Sequence, residues 1–375
     1  MNLYIGAMTG TSLDGLDVVL ADLSGGALKV IDGLSLPYPA PLRAEMLALQ
    51  AGANGLGVNE LHRAQVAGIA LSALHSEAIA QLLSKTSTLP TAITAVGVHG
   101  QTVRHHPNDG DTSYTTQLIA PARIAESTGC AVVCDFRSRD IAAGGQGAPL
   151  VPAFHREMAR SSALPLAIVN IGGFANISVL EADGSVLGLD TGPGNVLMDA
   201  WIHHHQGHTY DSDGAWAAQG VVHASLLQAF LSHPYFSQAL PKSTGREAFD
   251  LAWVQRTAAP FGLTPVDVQA TLCALTAHSI VQALEQHRTK STPLLRLSGL
   301  YVCGGGAMNG HLMRALAALA SCPVDSSAAL GVAPQWVEPL AFAWLAKACM
   351  AREPIDLAGV TGAAGARVLG AIYPA

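Results

Sequence analysis

Residues 3–23 read Leu3-Tyr-Ile-Gly-Ala-Met-Thr-Gly-Thr-Ser-Leu-Asp-Gly-Leu-Asp-Val-Val-Leu-Ala-Asp-Leu23. This stretch holds two apolar, β-rich runs, Leu3–Ala7 and Leu16–Leu23, joined by a turn rich in Gly, Thr and Asp. A third such run follows at Leu28–Asp32. Runs of this kind separated by glycine-containing turns are typical of strands, so the sequence predicts a three-stranded antiparallel meander.

A second predicted meander begins near residue 166, with runs at Ala167–Ile171, Asn176–Glu181 and Val186–Asp190. Helical and strand patterns follow each meander. After the first we expect helices at Asn59–Lys85 and Ala122–Thr128, and strands at Ile93–Val98, Thr115–Ile119 and Ala131–Cys134. After the second we expect helices at 195–206, 214–232, 267–288, 309–320 and 338–351, and a strand at Leu300–Cys303.

This repetition predicts an α/β protein built from two similar lobes. We place the N-terminal lobe at residues 1–140, completed by 352–375, and the C-terminal lobe at 141–351. The expected boundary is the Gly/Pro-rich stretch Gly144–Pro152, followed by a linking helix. Because ligands usually bind in clefts between domains, we expect an active-site cleft between the two lobes.

The composition favours a folded protein that acts on small molecules. Of the 375 residues, 50% are apolar and 13% are charged, a balance that buries large cores. The net charge of −7 provides no basic field for nucleic acid or for an anionic membrane, so we expect neither as a partner. Six cysteines without a C-x-x-C pair suit free thiols in a reducing compartment, and with no basic leader this predicts a cytoplasmic protein.

Four common catalytic motifs are absent from the sequence: the Walker A loop, G-x-G-x-x-G, H-E-x-x-H and G-x-S-x-G. The turn between the first two strands offers a different phosphate site, because its glycines bring backbone N–H groups close to a polyanion and its hydroxyls donate. Asp14 and Asp17 would hold hydrated Mg²⁺. An ordinary hairpin rich in turn residues is the alternative. The candidate nucleotide-binding residues here are Gly10, Thr11, Ser12, Leu13, Asp14, Gly15, Leu16 and Asp17.

Two more glycine turns follow strands in the second half. Asn170, Gly172 and Gly173 lie in the turn of the second meander, and we expect them to grip the far phosphates of a nucleotide. The third turn, Gly304, Gly305, Gly306 and Asn309, follows a buried strand and opens a helix, which suits the ribose and first phosphates. Three glycine turns in two repeated halves favour a nucleotide-binding function over simple chain reversal.

Asp190 ends a predicted strand in the motif Gly188-Leu-Asp-Thr-Gly-Pro-Gly-Asn195. One interpretation makes it a general base beside glycines that leave room for a substrate. The other makes it a cap of the helix that begins near Asn195. The spacing alone supports both interpretations equally.

His99, Gln101, Thr102 and Arg137 follow other strands and supply donors suited to hydroxyls, an amide and a carboxylate. An arginine near a cleft binds carboxylates bidentately, but Arg137 would also suit a surface ion pair with Asp135 or Asp140. The densest histidine cluster is His203, His204, His205 and His208. Gly207 interrupts the helix that would align these residues, so a solvated helix end is favoured over a metal site.

Read together in order, these motifs resemble the bacterial anhydro-N-acetylmuramic acid kinase family from residue 4 to the end. Further segments that carry the resemblance are Pro241-Lys-Ser-Thr-Gly-Arg-Glu247 and Val360-Thr-Gly-Ala363. The resemblance implies two ribonuclease H-like lobes of the actin-like ATPase and sugar-kinase fold, with ATP and Mg²⁺, a homodimer, and 1,6-anhydro-N-acetylmuramic acid as the substrate in cell-wall recycling. Glu338 is similar to a cleft acid of the family, although Pro339 stands where the family usually has Ala.

The bridged substrate has its 6-oxygen tied up as an ether, so phosphorylation has to accompany ring opening. We expect Asp190 to take a proton from water that attacks the anomeric carbon while the 6-oxygen attacks the γ-phosphorus of ATP. Two alternatives stay open at this stage. One is a kinase of the same fold that phosphorylates a free sugar hydroxyl, and the other is an ATP-driven conformational switch.

Overall fold

The computed structural model describes residues 2–10, 13, 15–26, 28–51, 59–238, 248–291 and 296–375, with the backbone alone at 287–291. The chain forms two compact units. Unit 1 comprises Met1–Met158 and Trp336–Ala375, and unit 2 comprises Ala159–Gln335.

The described residues contain strands that form two main sheets and one hairpin. The strands are β1 Leu3–Thr9, β2 Gly15–Asp22, β3 Lys29–Pro37, β4 Ile93–Val98, β5 Gln101–His106, β6 Tyr114–Leu118, β7 Val132–Cys134, β8 Leu166–Ile171, β9 Phe174–Leu180, β10 Val186–Pro193, β11 Leu300–Cys303, β12 Val324–Ser326 and β13 Ala371–Tyr373.

Helices account for most of the remaining described chain. They are α1 Ala40–Gln50, α2 Glu60–Lys85, α3 Pro121–Thr128, α4 Ser138–Ala142, α5 Val151–Met158, α6 Val196–Gln206, α7 Ala224–Leu231, α8 Pro234–Ser237, α9 Leu251–Ala258, α10 Pro265–Ser291, α11 Gly310–Leu319, α12 Val337–Met350 and α13 Ala358–Thr361.

The two main sheets follow one plan. The sheet of unit 1 has the order β13-β7-β4-β1-β2-β3, and the sheet of unit 2 has the order β10-β9-β8-β11-β12. In each, the first three strands form an antiparallel meander, and a parallel strand joins the far side of the first strand of that meander. A second parallel strand extends each sheet. The predicted repetition of one α/β plan is therefore confirmed.

Local sequence signals set several helix ends. Asn309 and Asp250 cap α11 and α9 because their side chains accept the N–H groups of Leu312 and Trp253. Gly207, with a φ of 72°, ends α6 in the left-handed conformation that glycine adopts without strain. Residues 195–206 were expected to be helical on the same grounds, and α6 confirms this.

The helix α2 is the one helix among the described residues that is long and apolar enough to cross a membrane. Of its most apolar window, 56% is buried inside the protein. Its buried side chains, which include Leu71, Ile79 and Leu82, belong to the same core as Ile5 and Val96 of the sheet. This burial is typical of a core helix.

The helix α12 packs closely on the sheet of unit 1, and glycine makes that approach possible. A Cβ atom at Gly6 would overlap the carbonyl oxygen of Pro339, and one at Gly97 would overlap that of Phe342. Two backbones therefore meet without side chains between them. The chain divides into its two units at 158/159 and 335/336. The helix α12 therefore lies in unit 1, whereas the sequence placed it in the lobe 141–351.

Most predicted elements are confirmed, but the predicted helix at 214–232 is correct only in its C-terminal part, where α7 spans Ala224–Leu231. The carboxylate of Asp211 accepts the N–H groups of Trp216 and Ala217, each at 2.9 Å, and this stabilises short 3-10 turns. The α-helix begins only at Ala224. The helices α1 and α9 and the strands β5, β12 and β13 were not predicted from the sequence.

The close approach of α12 makes a stability prediction. Gly97→Ala should lower the free energy of unfolding by about 1–3 kcal/mol, because the new methyl group overlaps a backbone carbonyl that cannot move independently. The matched control is Gly68→Ala in α2, where a Cβ meets neighbours at ordinary distances of 3.5 Å and beyond. That change should stabilise by up to about 1 kcal/mol, since alanine favours helix. Urea unfolding of both variants tests the pair, and equal effects would contradict the packing account.

Candidate active site

Three polar residues line up across the meander of unit 2. Asn170 of β8 pairs with Asn176 of β9, and Asn176 pairs with Asp190 of β10. Directly paired residues of an antiparallel sheet present their side chains on the same face. Asp190 is half-buried, so its carboxylate is not sealed in the core. The row therefore places a carboxylate and two amides at one end of the sheet.

The backbone at Asp190 is held by neighbouring groups. The hydroxyl of Tyr235 donates to the carbonyl oxygen of Asp190 at 3.0 Å, and the register shifts between Asp190 and Gly192. Burial raises the pKa of Tyr235 above its ordinary value, and the nearby charge of Asp190 raises it further. The helix α6 has Asn195 at its N-cap position, so the interpretation of Asp190 as the cap of that helix is wrong.

Two glycine turns of unit 2 are locked together by main-chain hydrogen bonds. The N–H of Gly194 donates to the carbonyl oxygen of Gly173 at 2.9 Å, and the N–H of Asn195 donates to that of Gly172 at 2.8 Å. A Cβ at Gly194 would overlap the Gly172 oxygen. The turn after β8 is therefore fixed to the start of α6.

The glycine turn after β11 lies against the turn after β8. Gly304 has a φ of +75°, and a Cβ on it would overlap Oδ1 of Asn170, while a Cβ on Gly306 would overlap the side chain of Ile171. Gly305 differs, because it is exposed and a Cβ there would meet only Nδ2 of Asn195, at 3.6 Å. Oδ1 of Asn170 is buried and has no hydrogen-bond partner among the described residues.

These turns fit a nucleotide. The exposed backbone at Gly305 leaves room for a phosphate, and the orphaned amide oxygen of Asn170, next to Gly304, is a hydrogen-bond acceptor. Asn309, predicted as a nucleotide contact, is 8% exposed and its Oδ1 accepts the N–H of Leu312 at 3.0 Å. Its oxygen therefore caps α11.

The first predicted cradle is described only in part, since Thr11, Ser12 and Asp14 lie outside the described residues. Leu13 and Leu16 are fully buried, so their side chains pack in the core and only their backbone is left for a ligand. Nε of Arg43 donates to the carbonyl oxygen of Leu13 at 3.1 Å and steadies the turn. The carboxylate of Asp17 accepts a hydrogen bond from Ser35.

No group of three or more His, Cys, Asp or Glu side chains is placed to hold a metal ion within the part of the chain that the structure describes. In the histidine cluster, the ring of His205 packs on Trp201 with centroids 4.3 Å apart. The favoured interpretation of this cluster as a helix end without a metal is consistent with that packing.

Arg137 lies in a polar network of unit 1. Its Nε and Nη2 lie 3.0 and 2.8 Å from Nε2 of His99, and its Nη1 donates to the carbonyl oxygen of Gly147 at 2.7 Å. Nδ1 of His99 lies 3.3 Å from the carbonyl oxygen of Thr9. Because Nε2 accepts from the guanidinium, Nδ1 carries the proton and the imidazole is neutral.

The charges around Arg137 agree with this assignment. Burial, and then the neighbouring guanidinium, hold the pKa of His99 well below its ordinary value. Burial lowers the pKa of Arg137 to about 10, and the carboxylates of Glu338 and Asp140 oppose that shift. Arg137 forms no ion pair with Asp135 or Asp140 among the described contacts, so the ion-pair alternative is wrong.

The remaining predicted sugar contacts differ in exposure. Gln101 is fully buried, and its Oε1 accepts from the hydroxyl of Tyr38 at 2.8 Å. Burial raises the pKa of Tyr38 to about 12, so it stays a neutral donor. Thr102 is half-buried, and its Oγ1 accepts from Nε2 of Gln117 at 3.2 Å. Thr102 is therefore partly accessible to a ligand, whereas Gln101 is enclosed in the protein.

Several residues of these networks escaped the sequence analysis. Asn176 begins a predicted strand but was not assigned a role. Tyr235 had no sequence signal, because its contact with Asp190 is distant along the chain. Asp140 was considered only as an ion-pair partner of Arg137, because its contact with Thr361 joins positions 221 residues apart.

Comparison with known proteins identifies the family. The sequence model described as "Anhydro-N-acetylmuramic acid kinase" matches residues 2–375. Relatives of that name from Thiobacillus denitrificans and Pseudomonas putida are 50% and 49% identical. The first alignment covers 99% of this chain and 97% of the relative, and the second covers 100% of both.

A solved structure titled "Reductive activator for corrinoid,iron-sulfur protein" aligns with a TM-score of 0.50 and 13% identity, over 93% of this chain and 61% of that one. This likeness concerns the fold alone. Together with the duplicated sheet plan, it supports the predicted actin-like ATPase and sugar-kinase fold. The whole-length match to the family model and to relatives about half identical places the chain in the anhydro-N-acetylmuramic acid kinase family.

Proposed function

We propose that the chain converts 1,6-anhydro-N-acetylmuramic acid, ATP and water into N-acetylmuramic acid 6-phosphate and ADP, a step of cell-wall recycling. The observation that carries this proposal is the placement of Asp190, a half-buried residue near the C-terminal end of β10, beside the interlocked glycine turns of unit 2. Family membership supports the same activity. Neither alternative, the free-hydroxyl kinase or the ATP-driven switch, is favoured by relatives that share the kinase name over the whole chain.

In this proposal Asp190 is the general base. It accepts a proton from a water molecule whose oxygen bonds to the anomeric carbon, while the bond from that carbon to the 6-oxygen breaks. The 6-oxygen takes the γ-phosphoryl group of ATP, and ADP leaves. A glycosidase needs a second carboxylic acid to protonate its leaving group. Here the phosphoryl group takes that place, so a single carboxylate suffices.

The glycine turns would bind the nucleotide. Asn170, Gly172 and Gly173 would contact the phosphates, Gly304–Gly306 would pass close to the ribose, and the turn Gly10–Asp17 would supply further N–H groups. Mg²⁺ would neutralise the phosphate charge, with Asp14 and Asp17 contacting it through water. Support for these roles comes from the openness of Gly305 and from the orphaned oxygen of Asn170.

The sugar would be held mainly by unit 1 residues, with Arg137 binding the lactyl carboxylate and Thr102 a hydroxyl or the acetamide. A guanidinium carries five N–H donors. Three of those on Arg137 point to His99 and Gly147, which leaves one on Nη1 and one on Nη2. Two parallel donors suit a carboxylate. Glu338 would accept from a sugar hydroxyl, and His99 and Gln101 would support this surface from below.

We also infer a cytoplasmic location and a homodimer. The six cysteines are not joined in disulfides, and five of them are buried, which suits a reducing compartment. The homodimer rests on the family resemblance, and gel filtration with light scattering tests it.

The activity has a direct test. Incubation with the anhydro sugar, ATP and magnesium should give a product heavier than the sugar by one water and one phosphoryl group. In ¹⁸O-labelled water the label should enter at the anomeric oxygen. A phosphorylated sugar without added water would instead show a kinase that acts on a free hydroxyl.

Asp190→Asn should lower kcat by about 100-fold or more, the usual scale for a positioned acid–base group. Binding of the sugar and of ATP should stay within about threefold, because the amide keeps the size and polarity of the carboxylate. The matched control is Asp183→Asn, in the exposed β9–β10 turn, where the carboxylate accepts from Ser185. Near-normal turnover of Asp190→Asn would show that another group is the base.

Gly305→Val should raise the KM for ATP by about tenfold or more, because the side chain would enter the space assigned to the nucleotide. The protein itself leaves that space open, so the melting temperature should not change. The KM for the sugar provides the internal control. An unchanged KM for ATP in a folded variant would place the nucleotide elsewhere.

A further inference from the structure

Arg137 depends on a loop that is tied to the far end of the chain. The carbonyl oxygen of Gly147 accepts from Nη1 of Arg137, and the N–H of Gly147 donates to Oδ2 of Asp140 at 2.7 Å. Asp140 is 2% exposed, and the N–H of Gly145 donates to its carbonyl oxygen. A Cβ at Gly145 would overlap Oδ2 of Asp140, so the loop closes tightly around this carboxylate.

The C-terminal segment completes the environment of Asp140. Oγ1 of Thr361 donates to Oδ1 of Asp140 at 2.8 Å, and Thr361 is 2% exposed. The N–H of Gln146 donates to the carbonyl oxygen of Thr361 at 2.9 Å, and the N–H of Ala364 donates to that of Ala143 at 2.8 Å. The segment around Thr361 is therefore hydrogen-bonded to the loop 143–147 at several points.

We propose that Thr361 and Asp140 are positioning residues for Arg137. They fix the Gly147 carbonyl that, with Nε2 of His99, orients the guanidinium, so that its two remaining donors point to the substrate carboxylate. This inference rests on the proposed function, because it takes Arg137 as the residue that binds the lactyl group. It assigns a role to the Val360–Ala363 motif that the reaction itself leaves unexplained.

The opposite charges of this network have separate tasks. Both carboxylate oxygens of Asp140 accept hydrogen bonds, one from the N–H of Gly147 and one from the hydroxyl of Thr361. Asp140 does not pair directly with Arg137. The guanidinium is held by two neutral acceptors, the imidazole of His99 and a main-chain carbonyl. A direct ion pair would occupy the donors that a carboxylate ligand needs. Orientation through neutral groups leaves the positive charge available to that ligand.

The test compares two sugars, the anhydro-muramic acid and 1,6-anhydro-N-acetylglucosamine, which lacks the lactyl group. Thr361→Val should raise the KM for the acidic sugar by about threefold to tenfold, as expected when the support of a charged hydrogen bond is loosened. It should leave the kcat for both sugars, the KM for the neutral sugar and the KM for ATP unchanged. Thr361→Ser keeps the hydroxyl and should behave like the unaltered protein.

A double-mutant cycle with Arg137→Ala separates positioning from general structure. Arg137→Ala alone should raise the KM for the acidic sugar by about 30-fold or more. In that background Thr361→Val should have no further effect, because its action passes through the guanidinium. The control is Thr86→Val, which removes the hydrogen bond from Oγ1 to the Leu82 carbonyl at 2.8 Å in the same unit and should change neither KM.

Two results would overturn the proposal: an equal rise in KM for both sugars, or effects of Thr361→Val and Arg137→Ala that add. Should Thr361→Val fail to fold, Thr361→Ala removes the same hydroxyl with less bulk and is judged by the same cycle. Failure of the proposed function is distinguishable, since the unaltered protein would then not turn over the acidic sugar at all.

Discussion

The pairing of β8, β9 and β10 places the residue on which the proposed chemistry depends. Because side chains of directly paired residues share a face, the register that sets Asn170 opposite Asn176 also sets Asn176 opposite Asp190. A slip by one residue would turn Asp190 to the opposite face. The apolar neighbours Ile177 and Leu189 are buried on the other face. Their burial stabilises this register, and the register determines the face on which the carboxylate lies.

The sequence located this end of the sheet because its signals are local. Strand patterns of period two, followed by glycine and polar residues, predicted both meanders and the three glycine turns, and the structure has strands at those places. The helix predicted at 214–232 does not begin before Ala224, because the carboxylate of Asp211 accepts the backbone N–H groups of Trp216 and Ala217. A side chain that hydrogen-bonds to nearby backbone stabilises a structure other than the helix. The spacing of apolar residues gives no indication of such a hydrogen bond.

Contacts between distant positions were beyond the same reasoning. Thr361 and Asp140 are 221 residues apart, and the sequence around neither residue indicates that they form a hydrogen bond. The neutral state of His99 likewise follows only from the atom it faces, since the sequence suggested a direct sugar contact. The proposed substrate-binding residues were thus chosen by type and place along the chain. The proposal of which of them contact the sugar and which support it required the hydrogen-bond partners.

The duplicated sheets carry different polar residues at equivalent positions. In unit 1 the row equivalent to Asn170, Asn176 and Asp190 is Met8, Asp17 and Ser35, by the same pairing of three strands. The carboxylate stands on the middle strand in unit 1 and on the third strand in unit 2. In the first position it accepts from Ser35 and is proposed to face hydrated magnesium, whereas in the second it has an amide as its paired neighbour. An amide does not compete as a base, so the exchange of Asp for Asn on the middle strand leaves Asp190 as the one carboxylate of its row.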